Sequence, residues 1–190
     1  MKASWMSFLL LALVLMAFQS PQPPRSIYDF SVKDLSGNLV SLKPYQGKVV
    51  LVVNIASECK LTPQLKDLQE LYTELSEQGL AILAFPSNDF GKTPSDEAQI
   101  NSFCTQKYAI TFPIFSKIKV KGAEADPLFA YLSQKAQNGK VQAPITWNFQ
   151  KFLVDHNGQV IAAFKPNERV SKAKVRKAIE AAIKAAGSKP

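Results

Sequence analysis

The run Lys48-Val49-Val50-Leu51-Val52-Val53-Asn54 constrains the fold more than any other stretch of this chain. It is apolar and β-branched without a break, whereas a strand with one face in water would alternate. The run therefore predicts a central strand covered on both faces. A polar loop carrying Cys59 follows. Thr62 and Pro63 suit a helix N-cap and first turn, and Leu65, Leu68, Leu71, Tyr72 and Leu75 then recur at helical spacing until Gly79. Leu80 to Phe85 is a second buried run. Strand, helix and strand in this order imply a crossover connection and a parallel pair.

The flanking segments add antiparallel pieces. Ile27 to Val32 and Leu39 to Leu42 surround the turn 34–38 and predict a hairpin, and Phe149 to Asp155 and Gln159 to Phe164 predict another around His156-Asn157-Gly158. His156 is expected to face solvent in that turn. Ser95 is expected to cap a helix running to about Tyr108, a further helix spans about Asp126 to Gln137, and a last one begins at Val170 with Val175, Ile179 and Ile183 on one side. The expected architecture is α/β, a central mixed sheet flanked by helices with an N-terminal hairpin extension, forming one domain over residues 27–187. With 190 residues, 46% of them hydrophobic, the chain holds a core that needs no staples.

The first 20 residues resemble an export signal: one lysine near the start, an apolar run from Phe8 to Phe18, and a polar end. The run falls short of the about 20 residues of a comfortable membrane span, and Ala17 and Gln19 make a weak cleavage site, so a cleaved signal peptide and an uncleaved membrane anchor both stay open. The proline-rich stretch 21–26 reads as a stiff linker. The protein is thus expected to be exported (periplasmic, secreted or in a secretory lumen) or tethered to a membrane. At the other end, eight Lys and Arg from Lys165 onward face only Glu168 and Glu180. Without interleaved aromatics this reads as a solvated basic face, and no nucleic-acid partner is expected.

Two cysteines and one histidine exclude a disulfide scaffold, four-ligand zinc sites built of those residues alone, and any mechanism needing two histidines. Dithiol exchange within one turn is excluded as well, because no Cys-x-x-Cys is present. Cys59 stands where a buried strand gives way to a polar loop three residues before a helix start, a place where unpaired backbone N–H groups and the helix dipole favour an anion. Lys60 adds to that and Glu58 offsets part of it. Taken alone, Cys104 on the apolar face Ile100-Phe103-Cys104 reads as core.

Three blocks carry a family resemblance: Asn54-Ile55-Ala56-Ser57-Glu58-Cys59-Lys60-Leu61-Thr62, then Leu83-Ala84-Phe85-Pro86-Ser87-Asn88-Asp89-Phe90-Gly91, then Trp147-Asn148-Phe149-Gln150-Lys151-Phe152-Leu153-Val154-Asp155. In order and separation they resemble the signature blocks of the glutathione peroxidase family, with further agreement at Phe112-Pro113-Ile114-Phe115 and Asp126-Pro127-Leu128. The resemblance implies a thioredoxin-like fold and reduction of hydrogen peroxide and organic hydroperoxides, with no metal, flavin or nucleotide cofactor. It implies Cys59 as nucleophile, with Trp147 and Asn148 as helpers. An indole N–H and a carboxamide NH₂ are donors suited to holding a thiolate and stabilising the departing oxygen. Members that use thioredoxin carry a resolving cysteine in a similar Phe-Cys helix context, which implies that role for Cys104 and a thioredoxin-like protein as reductant, with glutathione as the other candidate.

The departures are Asp89 where the family pattern has glutamine, Lys60 where it has glycine, and Ser87 where it often has cysteine. An ionised Asp89 near the thiolate would oppose it and has no proton to donate. Either a cation compensates or the side chain points away. Two rivals follow: a non-catalytic redox sensor or disulfide relay of the same fold, and a binding module with an inert Cys59.

Overall fold

The computed structural model describes residues 26–91, 93 and 96–187. The leader, most of the linker and Ser95 lie outside them. Strand β3 (Val49–Ile55) is buried at every position and lies between β4 (Leu80–Pro86) and β5 (Lys151–Val154), with β6 (Val160–Phe164) beyond β5. β3 and β4 run parallel from Val49↔Leu80 to Ile55↔Pro86, joined through helix α1 (Gln64–Leu75); the β3–β5 and β5–β6 pairs are antiparallel. This is the expected thioredoxin-like mixed sheet, and the hairpin extension is a separate pair, β1 (Ser31–Lys33) with β2 (Leu39–Ser41).

The two-residue period of β3 feeds two cores. Val49, Leu51, Val53 and Ile55 pack with Leu65, Leu68 and Leu71 of α1 and with Val175 and Ile179 of the C-terminal helix. Val50 and Val52 face the other side and pack with Leu42, Phe85, Phe129 and Leu132. At about 25 cal/mol per Å² of apolar area removed from water, two such layers account for a strand this hydrophobic. No helix of the described residues is long and apolar enough to cross a membrane.

The structure differs from expectation at several ends. Ile27–Asp29 is a 3-10 turn rather than strand, because Ser26 and Asp29 form a reciprocal capping box. Helix α2 covers only Glu97–Ser102, capped by Asp96, whose side chain accepts from the Ala98 N–H, and it widens into a π-turn over Phe103–Lys107. The Asp126 helix splits into α3 (Pro127–Ser133) and α4 (Lys135–Asn138), and the last helix, α5, spans Ala173–Gly187. His156 does not face solvent as expected: both ring nitrogens are buried, without a partner among the described residues, since the Ser26–Tyr28 segment lies over the hairpin turn. The same cover fixes Gly158, whose φ is +82° and where a Cβ would lie 2.7 Å from the Tyr28 ring.

Candidate active site

The chemistry-bearing residues gather at the C-terminal ends of the parallel strands β3 and β4, where open α/β sheets place their ligands. Cys59 is half-buried and packs against the core that contains Cys104. Its loop is a chain of tight turns. The Thr62 N–H donates to the Cys59 carbonyl at 3.0 Å, the Gln64 N–H to Leu61, and the Leu65 N–H to Thr62, so the turn geometry begins before α1 itself. The Thr62 hydroxyl accepts the Cys59 N–H at 3.0 Å and lies 2.9 Å from the Ala56 carbonyl, so it braces this loop and does not cap the helix as the sequence suggested. The Leu61 N–H points at the Cys59 Sγ from 3.4 Å.

Asn54, at the end of β3, joins the first block to the third. Its Oδ1 accepts the Gln150 N–H at 3.0 Å, its Nδ2 donates to the Trp147 carbonyl at 3.2 Å, and its own carbonyl accepts the Phe149 N–H at 2.7 Å. Phe149 holds φ of +68°, a left-handed conformation unusual for an aromatic residue. The second block joins through the Ser87 N–H, which donates to the Ile55 carbonyl, and through Phe90, whose ring lies 5.3 Å from that of Trp147. Lys121 places its ammonium 4.1 Å from the Phe90 ring centre. Trp147 is 42% exposed, so it is not a core aromatic. Asn148 is fully buried, yet neither its Nδ2 nor its Oδ1 has a partner among the described residues. A buried carboxamide without bonds costs about 1–3 kcal/mol, and such groups persist where they act on something else.

Asp89, in the loop after β4, turns its carboxylate toward the segment that leads into the helix at Pro127. Oδ2 accepts the Val120 N–H at 2.6 Å and the Lys121 N–H at 3.2 Å, while Oδ1 lies 3.4 Å from the Lys119 ammonium. Both oxygens are thus engaged, and the aspartate ties residues 119–121 beside the Phe90–Trp147 pair. Replacing Asp89 with Ala is expected to lower stability by about 1–3 kcal/mol by orphaning those N–H groups. Denaturant titration measures that. The same variant should alkylate Cys59 at the wild-type rate; a change there of fivefold or more would put the carboxylate beside the thiol.

Cys104 is 1% exposed and lies within the π-turn. Burial pushes its thiol up to about 11. Two features set this place apart from a regular helix: the wide turn itself, and Ala109 at φ +50° just beyond it, where the Ile110 N–H returns to the Cys104 carbonyl. The sequence pointed to Cys59, Trp147, Asn148, Asp89 and Cys104. It gave no warning of Asn54, although an asparagine inside a buried β-branched strand is itself a signal that a partner must exist. Among the described residues no group of His, Cys, Asp and Glu is arranged to hold a metal.

The glutathione peroxidase family model matches residues 27–133, more than half of the chain. The chain belongs to the glutathione peroxidase family. A glutathione peroxidase homolog of Bacillus subtilis (strain 168), BsaA, is 46% identical over 143 residues, 75% of this chain and 89% of the relative. A glutathione peroxidase-like peroxiredoxin of Saccharomyces cerevisiae is 46% identical over 140 residues, 73% of this chain and 86% of its own. Among solved structures, the apo form of Trgpx is 36% identical, with a TM-score of 0.66, covering 85% of this chain and 97% of that one. A thioredoxin-family protein of Chlorobium tepidum, 18% identical with a TM-score of 0.59, covering 88% of this chain and 99% of its own, shares the fold. As a glutathione peroxidase family member the chain is a peroxidase-type oxidoreductase. Trp147 and Asn148 fall outside the residues that the family model matches, so their place beside the family's cysteine block rests on the Asn54 bonds described above.

Proposed function

We propose that this protein reduces hydrogen peroxide and organic hydroperoxides through Cys59, with Trp147 and Asn148 as donors, Cys104 as resolver, and a thioredoxin-like dithiol as reductant. The observation that carries the reading is the partly buried Cys59, its sulfur facing the Leu61 N–H at the strand ends where the three blocks meet. The thiolate attacks one peroxide oxygen and the O–O bond breaks. The sulfur becomes a sulfenic acid, and the other oxygen takes a proton and leaves as water or an alcohol. Cys104 then displaces hydroxide from the sulfenic acid, giving a disulfide and water, and an external dithiol reduces that disulfide by exchange. The relative named as a peroxiredoxin supports peroxide chemistry followed by thiol reduction. The leader would place this reaction in an exported or membrane-anchored setting.

Cys104 is neutral and covered in this structure, so its attack requires the π-turn to open and bring the two Cα atoms within about 7 Å. That burial also favours a second reading, a sensor or relay in which the sulfenic acid persists until a partner thiol or glutathione meets it. One experiment separates them. Reduced protein lacking residues 1–24 and its Cys104→Ser variant are each treated with one equivalent of hydrogen peroxide and mapped by peptide mass. Loss of two hydrogens across Cys59 and Cys104, replaced by one added oxygen on Cys59 in the variant, is the expected result. One added oxygen on Cys59 in both proteins would demote Cys104 to a core residue, and an unmodified Cys59 would sink the peroxidase reading.

A further inference from the structure

Strand β5 carries one polar side chain with no exposure at all, Lys151. Fully buried lysines are rare unless something holds them. Here the ammonium donates to the Pro166 carbonyl at 3.1 Å, and the same carbonyl accepts the Gln64 Nε2–H at 2.8 Å. Gln64 is the first residue of α1, just after the Cys59 loop, and Lys151 follows Trp147 and Asn148 into β5. The Pro166 oxygen is therefore a shared post between the segment that carries the thiol and the segment that carries its donors. One turn along α1, Asp67 accepts from the Arg169 Nε at 2.5 Å, from its second nitrogen at 2.8 Å and from the Ser171 hydroxyl at 3.0 Å. Burial opposes an ionised Asp67, yet the Arg169 and Ser171 bonds outweigh it and hold the carboxyl below its usual range. The loop 166–171 is thus fastened to the first turn of α1 at two points and to β5 at one.

We propose that Lys151 is a positioning residue for the thiol site, its ammonium holding the first turn of α1 and the Cys59 loop against β5 and the turn before it that carries Trp147 and Asn148, and that this hold weakens when the ammonium loses its proton. The inference rests on the reading of Cys59 as the nucleophile. A charged donor bonds a carbonyl about twice as strongly as a neutral one. The charged groups acting on Lys151 are Asp67 of α1 and Glu168 and Arg169 of the loop. Burial lowers its pKa from the ordinary 10.5 to about 7, with Glu168 and Asp67 opposing that fall and Arg169 adding to it. The proton is therefore lost near neutrality. The sign for stability is opposite to the sign for reaction rate. Between the folded and unfolded values the unfolded chain binds more protons, so the contribution of this group to stability rises from about pH 7 toward 10.5. A slowing of reaction over that range is not a loss of fold.

The test compares wild type with Lys151→Met, measuring the second-order rate of Cys59 oxidation by hydrogen peroxide in single turnovers from pH 5.5 to 9. The thiol's own titration is taken from alkylation rates in each protein. Lys151→Met is expected to react about tenfold more slowly at pH 6, a loss in keeping with a small misplacement of the reacting groups, and to converge on wild type within about twofold by pH 9. A rate ratio constant across this range, or a variant as fast as wild type at pH 6, would overturn the proposal. Should Lys151→Met fail to fold, ¹³C-labelled lysine in the wild-type protein decides. A Lys151 resonance titrating near pH 7 in step with the oxidation rate supports the inference, and a lysine that stays charged to pH 9 defeats it. A wild-type protein whose Cys59 does not react with peroxide fails differently, because it removes the peroxidase reading itself.

Discussion

Cys59→Ser is expected to abolish peroxide turnover, with a loss on the order of 10³-fold or more, because an alcohol is far weaker than a thiolate as a nucleophile and cannot form the sulfenic acid. The substitution is mild for the fold. Serine keeps an acceptor for the Leu61 N–H, and the Thr62 hydroxyl still takes the residue 59 N–H, since that bond belongs to the backbone. Stability should change by no more than about 1 kcal/mol, in keeping with a partly exposed site outside the packed centre. Steady-state peroxide consumption with a dithiol reductant measures the first quantity and denaturant unfolding the second. Residual activity at a tenth of wild type would mean that the chemistry runs elsewhere, and Cys104 is the other thiol in the sequence.

What the sequence made legible follows from which forces are local. The β-branched run at 49–53 and the leucine spacing of α1 predict buried elements because burial is written into composition and period, and both lie where expected. Cys59 was legible for the same reason, since the end of a buried strand next to a polar helix approach is a local pattern. Features decided by distant partners were not. Asn54 bonds residues 93 and 96 positions later, and Lys151 and Gln64 meet on a carbonyl that neither segment contains. A single sequence shows that such polar groups are buried without showing what satisfies them. Asp89 illustrates the converse. Its departure from the family's glutamine was visible, but only the backbone N–H groups of Val120 and Lys121 reveal where its charge is used.

The π-turn belongs to the same category. Phe103 and Cys104 sit on an apolar helical face, so period alone predicts a regular helix to Tyr108. The turn widens where Ala109 takes a left-handed conformation and the chain bends to bring Ile110 and Phe112 into the core. Tertiary burial overrides local propensity there, and it does so around the cysteine that the proposed resolving step would have to release.

Asn54→Ala carries the second large expected effect, and it separates architecture from chemistry. The side chain makes two of the four bonds between Asn54 and residues 147–150; the other two, Phe149 N–H to the Asn54 carbonyl and Asn54 N–H to the Gln150 carbonyl, survive the substitution. Truncation leaves the Gln150 N–H and the Trp147 carbonyl without these partners. At about 1–3 kcal/mol for each of the two groups left without a partner, the cost to stability is roughly 2–6 kcal/mol, read from the shift of the unfolding midpoint. The left-handed Phe149 costs of order 1–3 kcal/mol and is affordable only while its neighbours are pinned. With two of the four pins remaining, both of them backbone bonds, the segment is expected to relax and to shift Trp147 and Asn148 relative to the end of β3 and the Cys59 loop that follows it. Oxidation of Cys59 by peroxide should then slow by about 10–100-fold, the scale of a displacement near 1 Å at a reacting centre. Alkylation of the same thiol by a reagent that needs neither donor should hold near the wild-type rate, because the Leu61 N–H and the Thr62 brace do not involve Asn54. Equal slowing of both reactions would instead place the effect in the thiol loop, and an unchanged oxidation rate would remove Trp147 and Asn148 from the peroxide step.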